Sequence, residues 1–255
     1  MENNFSATAY ENICKEILIN NYQILTFEQL FQSQLDHNYQ FCILRHDVDR
    51  FAKNSLHIAK IENNLGIKST YYFRTTKSSF NKKVIQTIKN LGHEIGYHYE
   101  DFAVSSGNYN NAIDRYEKNL NRFNELGIDV KTISMHGSPG RKHSSYKLWD
   151  KYNYKIKEII GDANLDVNFN DIYYITDTGR SWSNENNLRD YAEGSLVHSV
   201  SNNIDLIKFI KNNNNSLILQ THPERWSSNI FDFSRSYSLD FLTNNLKKIY
   251  KRIYH

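Results

Sequence analysis

The sequence predicts an α/β domain built on a parallel sheet or barrel, and three observations carry that prediction. Apolar runs of strand character alternate with segments of helical period along most of the 255 residues. Three helical segments stop at a glycine, Gly66, Gly92 and Gly127. Four strands end in polar clusters: His46-Asp47-Val48-Asp49, His98-Tyr99-Glu100, His136-Gly137-Ser138-Pro139 and His222-Pro223. In α/β folds the carboxyl ends of the strands are where binding and chemistry gather.

Taken in order, Ser6 to Asn20 has helical spacing at Tyr10, Ile13, Ile17 and Leu18, and Phe27 to Leu35 reads as a second short helix. Together they form an N-terminal helical cover. Phe41 to Leu44 is an apolar strand that runs into Arg45, His46 and two aspartates. Leu56, Ile58, Ala59, Ile61 and Leu65 form the next helix, Ser69 to Phe73 a strand, and Val84, Ile85, Ile88 and Leu91 a helix. Glu94 to His98 is a strand, Asn111 to Leu126 a helix, and Thr132 to His136 a strand. Beyond it, Ile156 to Ala163, Ile172 to Thr176 and Ser195 to Val200 read as strands and Ile204 to Asn212 as a helix. Ser216 to Thr221 is a strong strand. Leu239 to Ile253 is a docked amphipathic helix with a stripe at Leu239, Leu242, Leu246, Ile249 and Ile253 and a Lys-rich back. No Pro, Gly or Ser linker interrupts this alternation, so the chain reads as one domain, 1–255, with its core at about 40–225.

Composition narrows the function classes. Net charge is +3 with both signs mixed throughout, which offers no basic patch for nucleic acid. Eighteen Tyr and fourteen Phe bury area in a chain that is only 39% apolar, and the Tyr hydroxyls can serve polar ligands. Cys14 and Cys42 both fall in apolar patterns and read as small buried hydrophobes, not as a disulfide. Asn212 to Asn215 reads as a loop. The first residues show no basic region followed by an apolar run, and no stretch is long enough to span a membrane. The expectation is a cytoplasmic protein.

The chemistry centres on Asp47 and Asp49. Alternate residues of a strand point to one side, so both carboxylates can face the same cleft. Two carboxylates so close repel unless a cation stands between or beside them. A divalent metal is one such cation. The plainer alternative has one Asp capping a helix near Ala52 and the other paired with Arg45 or Arg50. Aspartate and histidine at four strand ends supply oxygen and nitrogen ligands suited to zinc, and also to cobalt, nickel, manganese or iron.

In this combination the sequence resembles the polysaccharide deacetylase family, carbohydrate esterase family 4. The resemblance runs through Leu44 to Asp49, Ser69 to Phe73, Gly92-His93-Glu94-Ile95-Gly96-Tyr97-His98, the loop from His136 to Pro139, Asp177 to Trp182, and Leu219 to His222. Its flavour is that of a divergent branch linked to bacterial surface polysaccharides. It implies a distorted (β/α)7 barrel and metal-dependent removal of an acetyl group from a sugar, here a cytoplasmic precursor. It implies Asp47 as general base, His222 as general acid, and Asp49 and His98 as ligands of a divalent metal, zinc first. Asp177, Arg180 and Trp182 would orient the base or line the pocket. The family's second histidine falls at Phe102, so His136, or alternatively Glu100, would complete the metal set. His93 begins its strand and reads as structural. Two further readings stand beside this one: a non-catalytic carbohydrate-binding relative, and hydrolysis of another C–N bond on the same scaffold.

Overall fold

The computed structural model describes residues 5–33, 40–138, 140–183 and 192–254, with side chains as far as 245. Its axis is strand β2 (Phe41–Val48), buried along all eight residues. On one side β2 pairs with β3 (Thr70–Phe73), followed by β4 (Glu94–Tyr99), β5 (Thr132–Met135) and β6 (Gly161–Asp162). On the other side it pairs with β8 (Ser216–Thr221), which pairs with β7 (Ile172–Thr176). Every pairing is parallel. The order β6-β5-β4-β3-β2-β8-β7 is the chain's own cyclic order, opened between β6 and β7. The sheet curls into a half-barrel with helices interspersed.

Strand alternation sorts β2 into two faces. Phe41 and Ile43 pack inside the curl with Leu25, Phe27, Tyr72, Tyr174 and Ile218. Cys42, Leu44 and Val48 face outward, in the larger core shared with helices α1 (Ala7–Ile19), α3 (Ser55–Asn64) and α4 (Lys82–Asn90). The interior is therefore apolar at the amino end of β2 and charged at its carboxyl end, where Arg45 and Asp47 follow on the inner face. Helix α2 (Phe27–Gln32) starts at a capping box formed by Thr26 and Gln29 and seats Phe27 in the apolar floor. Asparagines cap α4, α6 (Tyr109–Asn124) and α7 (Asn203–Asn212) through Asn81, Asn108 and Asn202.

Several expected elements change. A three-residue strand, β1 (Gln23–Leu25), adds to the first half of β2 where β3 does not reach. The expected strand Ile156–Ala163 shrinks to β6, because Lys157 and Glu158 adopt left-handed backbone (φ 49 and 70) and turn the chain. Ser195–Val200 makes only a single bridge, Leu196 to Tyr173, and Val197 is 92% exposed, so its alternation buries nothing. Of the second expected helix, residues 34 and 35 lie outside the described residues. A short helix α5 (Asp101–Val104) follows β4. The last helix, α8 (Ile230–Tyr254), begins nine residues earlier than expected. Of the expected stripe, Leu239 and Leu242 are 37% and 59% exposed, and among the described residues Ser236, Asp240 and Asn244 make polar contacts with the rest of the chain. Leu246, Ile249 and Ile253 fall beyond the described side chains. Among the described residues no helix is long and apolar enough to cross a membrane. Cys14 and Cys42 are buried and unpaired.

Outside the curl, α3 carries a buried carboxylate, Glu62, under the sheet. Its Oε1 accepts from His46 Nε2 at 2.7 Å and Tyr10 OH at 2.5 Å, and its Oε2 from Ser69 Oγ at 2.7 Å and Tyr71 OH at 2.5 Å. Four donors satisfy a charge that burial would otherwise make prohibitive. Burial works to raise the Glu62 pKa, but the His46 charge and the donors outweigh it and hold it at about 2. His93 seals the edge of this network with Nε2 on the Ala59 carbonyl at 3.0 Å.

A carboxylate depressed in the fold contributes stability that is complete above its unfolded pKa and is lost as pH falls toward its folded value. Glu62→Gln should therefore cost roughly 3–5 kcal/mol at pH 7, since the amide cannot accept from four donors. Chemical denaturation at pH 7 and at pH 3 checks this, and the difference between the two proteins should shrink at the lower pH. Gly96 of β4 lies against the Tyr72 ring, and a Cβ there would also stand 2.9 Å from the Thr132 carbonyl oxygen. Gly96→Ala should destabilise by about 1–3 kcal/mol in the same measurement.

Candidate active site

The carboxyl ends of β2, β4, β5 and β8 open into a cavity of about 420 Å3, walled on one side by Asp240, Thr243 and Asn244 of α8. Five carboxylates line it (Asp47, Asp49, Glu100, Glu224, Asp240) against four arginines (Arg50, Arg74, Arg141, Arg225), together with His98, His136 and His222. Charges of both signs are therefore packed against one another around the cavity.

Asp49 Oδ1 is shut off from solvent and has no hydrogen-bond partner. Two imidazoles face it, His98 Nε2 and His136 Nε2, each 3.6 Å away. Both rings are held from behind. His98 donates from Nδ1 to the Ser134 carbonyl at 3.0 Å, and His136 from Nδ1 to Glu100 Oε2 at 3.2 Å. Glu100 is itself clamped by Arg74 Nη2 at 2.8 and 2.7 Å. A metal-binding histidine uses one nitrogen and ties the other to a carbonyl or carboxylate, and both rings have that arrangement. Burial drives His98 down to about 4, so its Nε2 lone pair is available at neutral pH. Burial opposes charge on His136 too, but Asp49 and Glu100 overcome it and lift that ring to about 9.

The donor set thus fits a divalent metal in kind, and its spacing is open. Ligands of a tetrahedral zinc site lie roughly 3.3 Å apart, and among the described residues no three His, Cys, Asp or Glu side chains close into a ready-made cage. The two carboxylate–imidazole distances, 3.6 Å each, exceed that spacing.

Asp47 has a different environment. Arg45 grips it with two hydrogen bonds of 2.9 Å, Gln220 donates to Oδ2, and His98 Nε2 stands 3.5 Å from Oδ2. Burial raises its pKa and the adjacent Arg45 more than compensates, leaving it below the usual carboxylate range. Across the cavity, His222 donates from Nδ1 to Asp177 Oδ1 at 2.6 Å, and its Nε2 lies 4.0 Å from Asp49 Oδ2. Asp177 is fixed by Arg225 at 2.7 Å, Trp226 Nε1 at 2.8 Å and the His222 backbone N–H. Burial and Arg225 push His222 down, and Asp177 prevails and raises it. Burial lifts Glu224 to about 7, with Arg50 pulling the other way.

Asp47, Asp49, His98, His136 and His222 therefore line one cavity. Glu100 lines it as well, and its oxygens are engaged by Arg74 and His136, an arrangement that has it supporting His136. Asp177 orients His222, not Asp47. Arg180 turns away to Asp240 at 2.8 Å and Ser236 at 2.5 Å, so it anchors α8 and does not line the pocket. Trp182 is core: fully buried, it donates to Asn203 at 2.6 Å and packs between Phe5 and Trp226. Phe102 packs on Tyr109 and His143, away from the cavity. Pro139 lies outside the described residues. Arg45, Arg74, Gln220, Glu224 and the α8 wall were not among the expected site residues. Arg45 could have been found, because two residues along a strand put it on the same face as Asp47.

A scan against protein-family models and a search of the curated proteins both find no match to this chain.

If Glu100 acts through His136, Glu100→Gln should weaken zinc binding about 10- to 100-fold, while Phe102→Leu leaves it unchanged. Competition titration against a chromogenic chelator measures both. Equal affinity in wild type and Glu100→Gln would remove His136 from the ligand set.

Proposed function

We propose that this chain is a metal-dependent hydrolase that removes an acetyl group from an N-acetylated sugar, on a distorted (β/α)7 barrel of the polysaccharide deacetylase type. The cyclic order of seven parallel strands, open at one seam, supports the barrel. The observation that carries the chemistry is the buried, unpartnered Asp49 Oδ1 facing two Nε2 atoms at 3.6 Å, each ring tied back through Nδ1.

Asp49, His98 and His136 would hold the metal, which supplies a Lewis acid for the acetyl carbonyl and lowers the pKa of water. Asp47, held in one orientation by Arg45 and Gln220, takes a proton from the attacking water as its oxygen bonds to the acetyl carbon. The C–N bond breaks with its electron pair going to nitrogen, and the imidazolium of His222 gives that nitrogen the proton from Nε2. Asp177 keeps the opposite ring proton on Nδ1 and stabilises the charged ring before transfer. The products are acetate and an amine.

One observation favours a second reading, a carbohydrate-binding relative without turnover. His136, charged and placed between Asp49 and Glu100, can itself supply the positive charge the carboxylates need.

The two readings part on three variants. Asp49→Asn should lower metal content, because an amide replaces a charged ligand. Asp47→Asn and His222→Ala should keep the metal and lower acetate release from N-acetylated sugars by ~10²- to 10⁴-fold, His222→Ala most for poor leaving groups. Absence of acetate with every divalent metal, together with no bound metal by elemental analysis, would sink the hydrolase reading.

A further inference from the structure

Among the described residues, nine buried side-chain polar atoms lack a hydrogen-bond partner, and four of them belong to residues lining this one cavity: Asp49, Arg50, Glu224 and Arg225. Native proteins rarely leave such atoms unpaired, so their concentration in a polar cavity marks where a ligand's groups are missing. Asp49 Oδ1 belongs to the metal site argued above. Glu224 needs another explanation.

Glu224 sits in the short 3-10 turn Pro223–Arg225 that follows His222, and it is 1% exposed. Arg50 could pair with it but turns its Nη2 to Asp240, leaving Nε 3.4 Å from Glu224 Oε1. Arg225 likewise spends Nη1 on Asp177 and has its Nε 3.6 Å from Asp240. Asp240 of α8 thus draws the neighbouring guanidiniums, and Glu224 Oε2 is left with no donor. An oxygen acceptor without a donor offers an anion no hydrogen bond. The adjacent arginines make it a poor metal ligand. What suits an open acceptor beside an unused Arg50 Nε–H is a group that both donates and accepts, and a hydroxyl does both.

We infer that Glu224, with Arg50 beside it, forms a subsite that binds a sugar hydroxyl and so sets which part of the sugar ring lies next to His222. The inference rests on the sugar substrate proposed above. It assigns a positioning role, separate from the proton transfers given to Asp47 and His222.

The test is calorimetric binding, on zinc-equilibrated protein, of methyl N-acetyl-β-glucosaminide and its 3-, 4- and 6-deoxy analogues. Metal content and thermal midpoint are recorded for wild type, Glu224→Gln and Glu224→Ala. Glu224→Ala should bind the parent glycoside about 10- to 100-fold more weakly with its metal retained. One deoxy analogue should bind wild type as weakly as the variant and lose nothing further in it. Glu224→Gln, which can still pair with a hydroxyl, should fall between. The idea is overturned if wild type binds none of the glycosides, if Glu224→Ala binds within twofold of wild type, or if every analogue loses the same factor in both proteins. Binding that behaves as expected without acetate release would leave the subsite standing and reject the hydrolase. Acetate release that is indifferent to Glu224→Ala, in KM and kcat alike, would do the reverse.

Discussion

Strand β2 has to bury charge on both of its faces at once. On the inner face Arg45 neutralises Asp47, and on the outer face His46 meets Glu62, all within three consecutive positions of a fully buried strand. An unpaired charge in either place would cost several kcal/mol, so each needs its partner in place before the sheet closes. The outer network binds α1 and α3 to the sheet through Tyr10 and Glu62. The inner pair is tied to β5 and β8 through Ser134 and Gln220. Two opposed networks thereby hold the end of β2 rigid where it delivers Asp49.

That rigidity matters because the cavity is assembled from supported side chains. His98 is held by a carbonyl of β5, His136 by Glu100 and Arg74, and His222 by Asp177 with Arg225 and Trp226 behind it. Each imidazole presents Nε2 to the cavity because its Nδ1 is committed elsewhere. The fourth wall is α8, drawn in by the convergence of Arg50, Arg180 and Arg225 on Asp240. Leu239 and Leu242 on the same helix remain at the surface.

Much of the first half of the fold was legible in the sequence, since its strands are short segments buried on both faces and three of its helices stop at Gly66, Gly92 and Gly127. The parallel order of β2 to β5 follows from that alternation. The later part was harder to read. Residues 156–163 have strand composition, but two left-handed residues break the run, a backbone property that composition does not reveal. Leu196 and Val197 alternate like a strand without a surface to cover. For the site, the strand-end histidines and aspartates were legible because position on a strand fixes direction. Their supports were less so: Arg45 is two residues from Asp47, but Arg74 reaches Glu100 from another strand, and Asp240 arrives from the far end of the chain. Trp182 and Arg180 share a motif with Asp177, yet the turn after β7 sends the three side chains in different directions.

The central claim is that Asp49, His98 and His136 are one metal site. Anomalous diffraction at the zinc absorption edge, from crystals equilibrated with zinc, tests it most directly. The account predicts a single strong peak at about 2.0–2.2 Å from Asp49 Oδ1, His98 Nε2 and His136 Nε2. No peak in the cavity, or a peak bound elsewhere while His136 stays between Asp49 and Glu100, would contradict it.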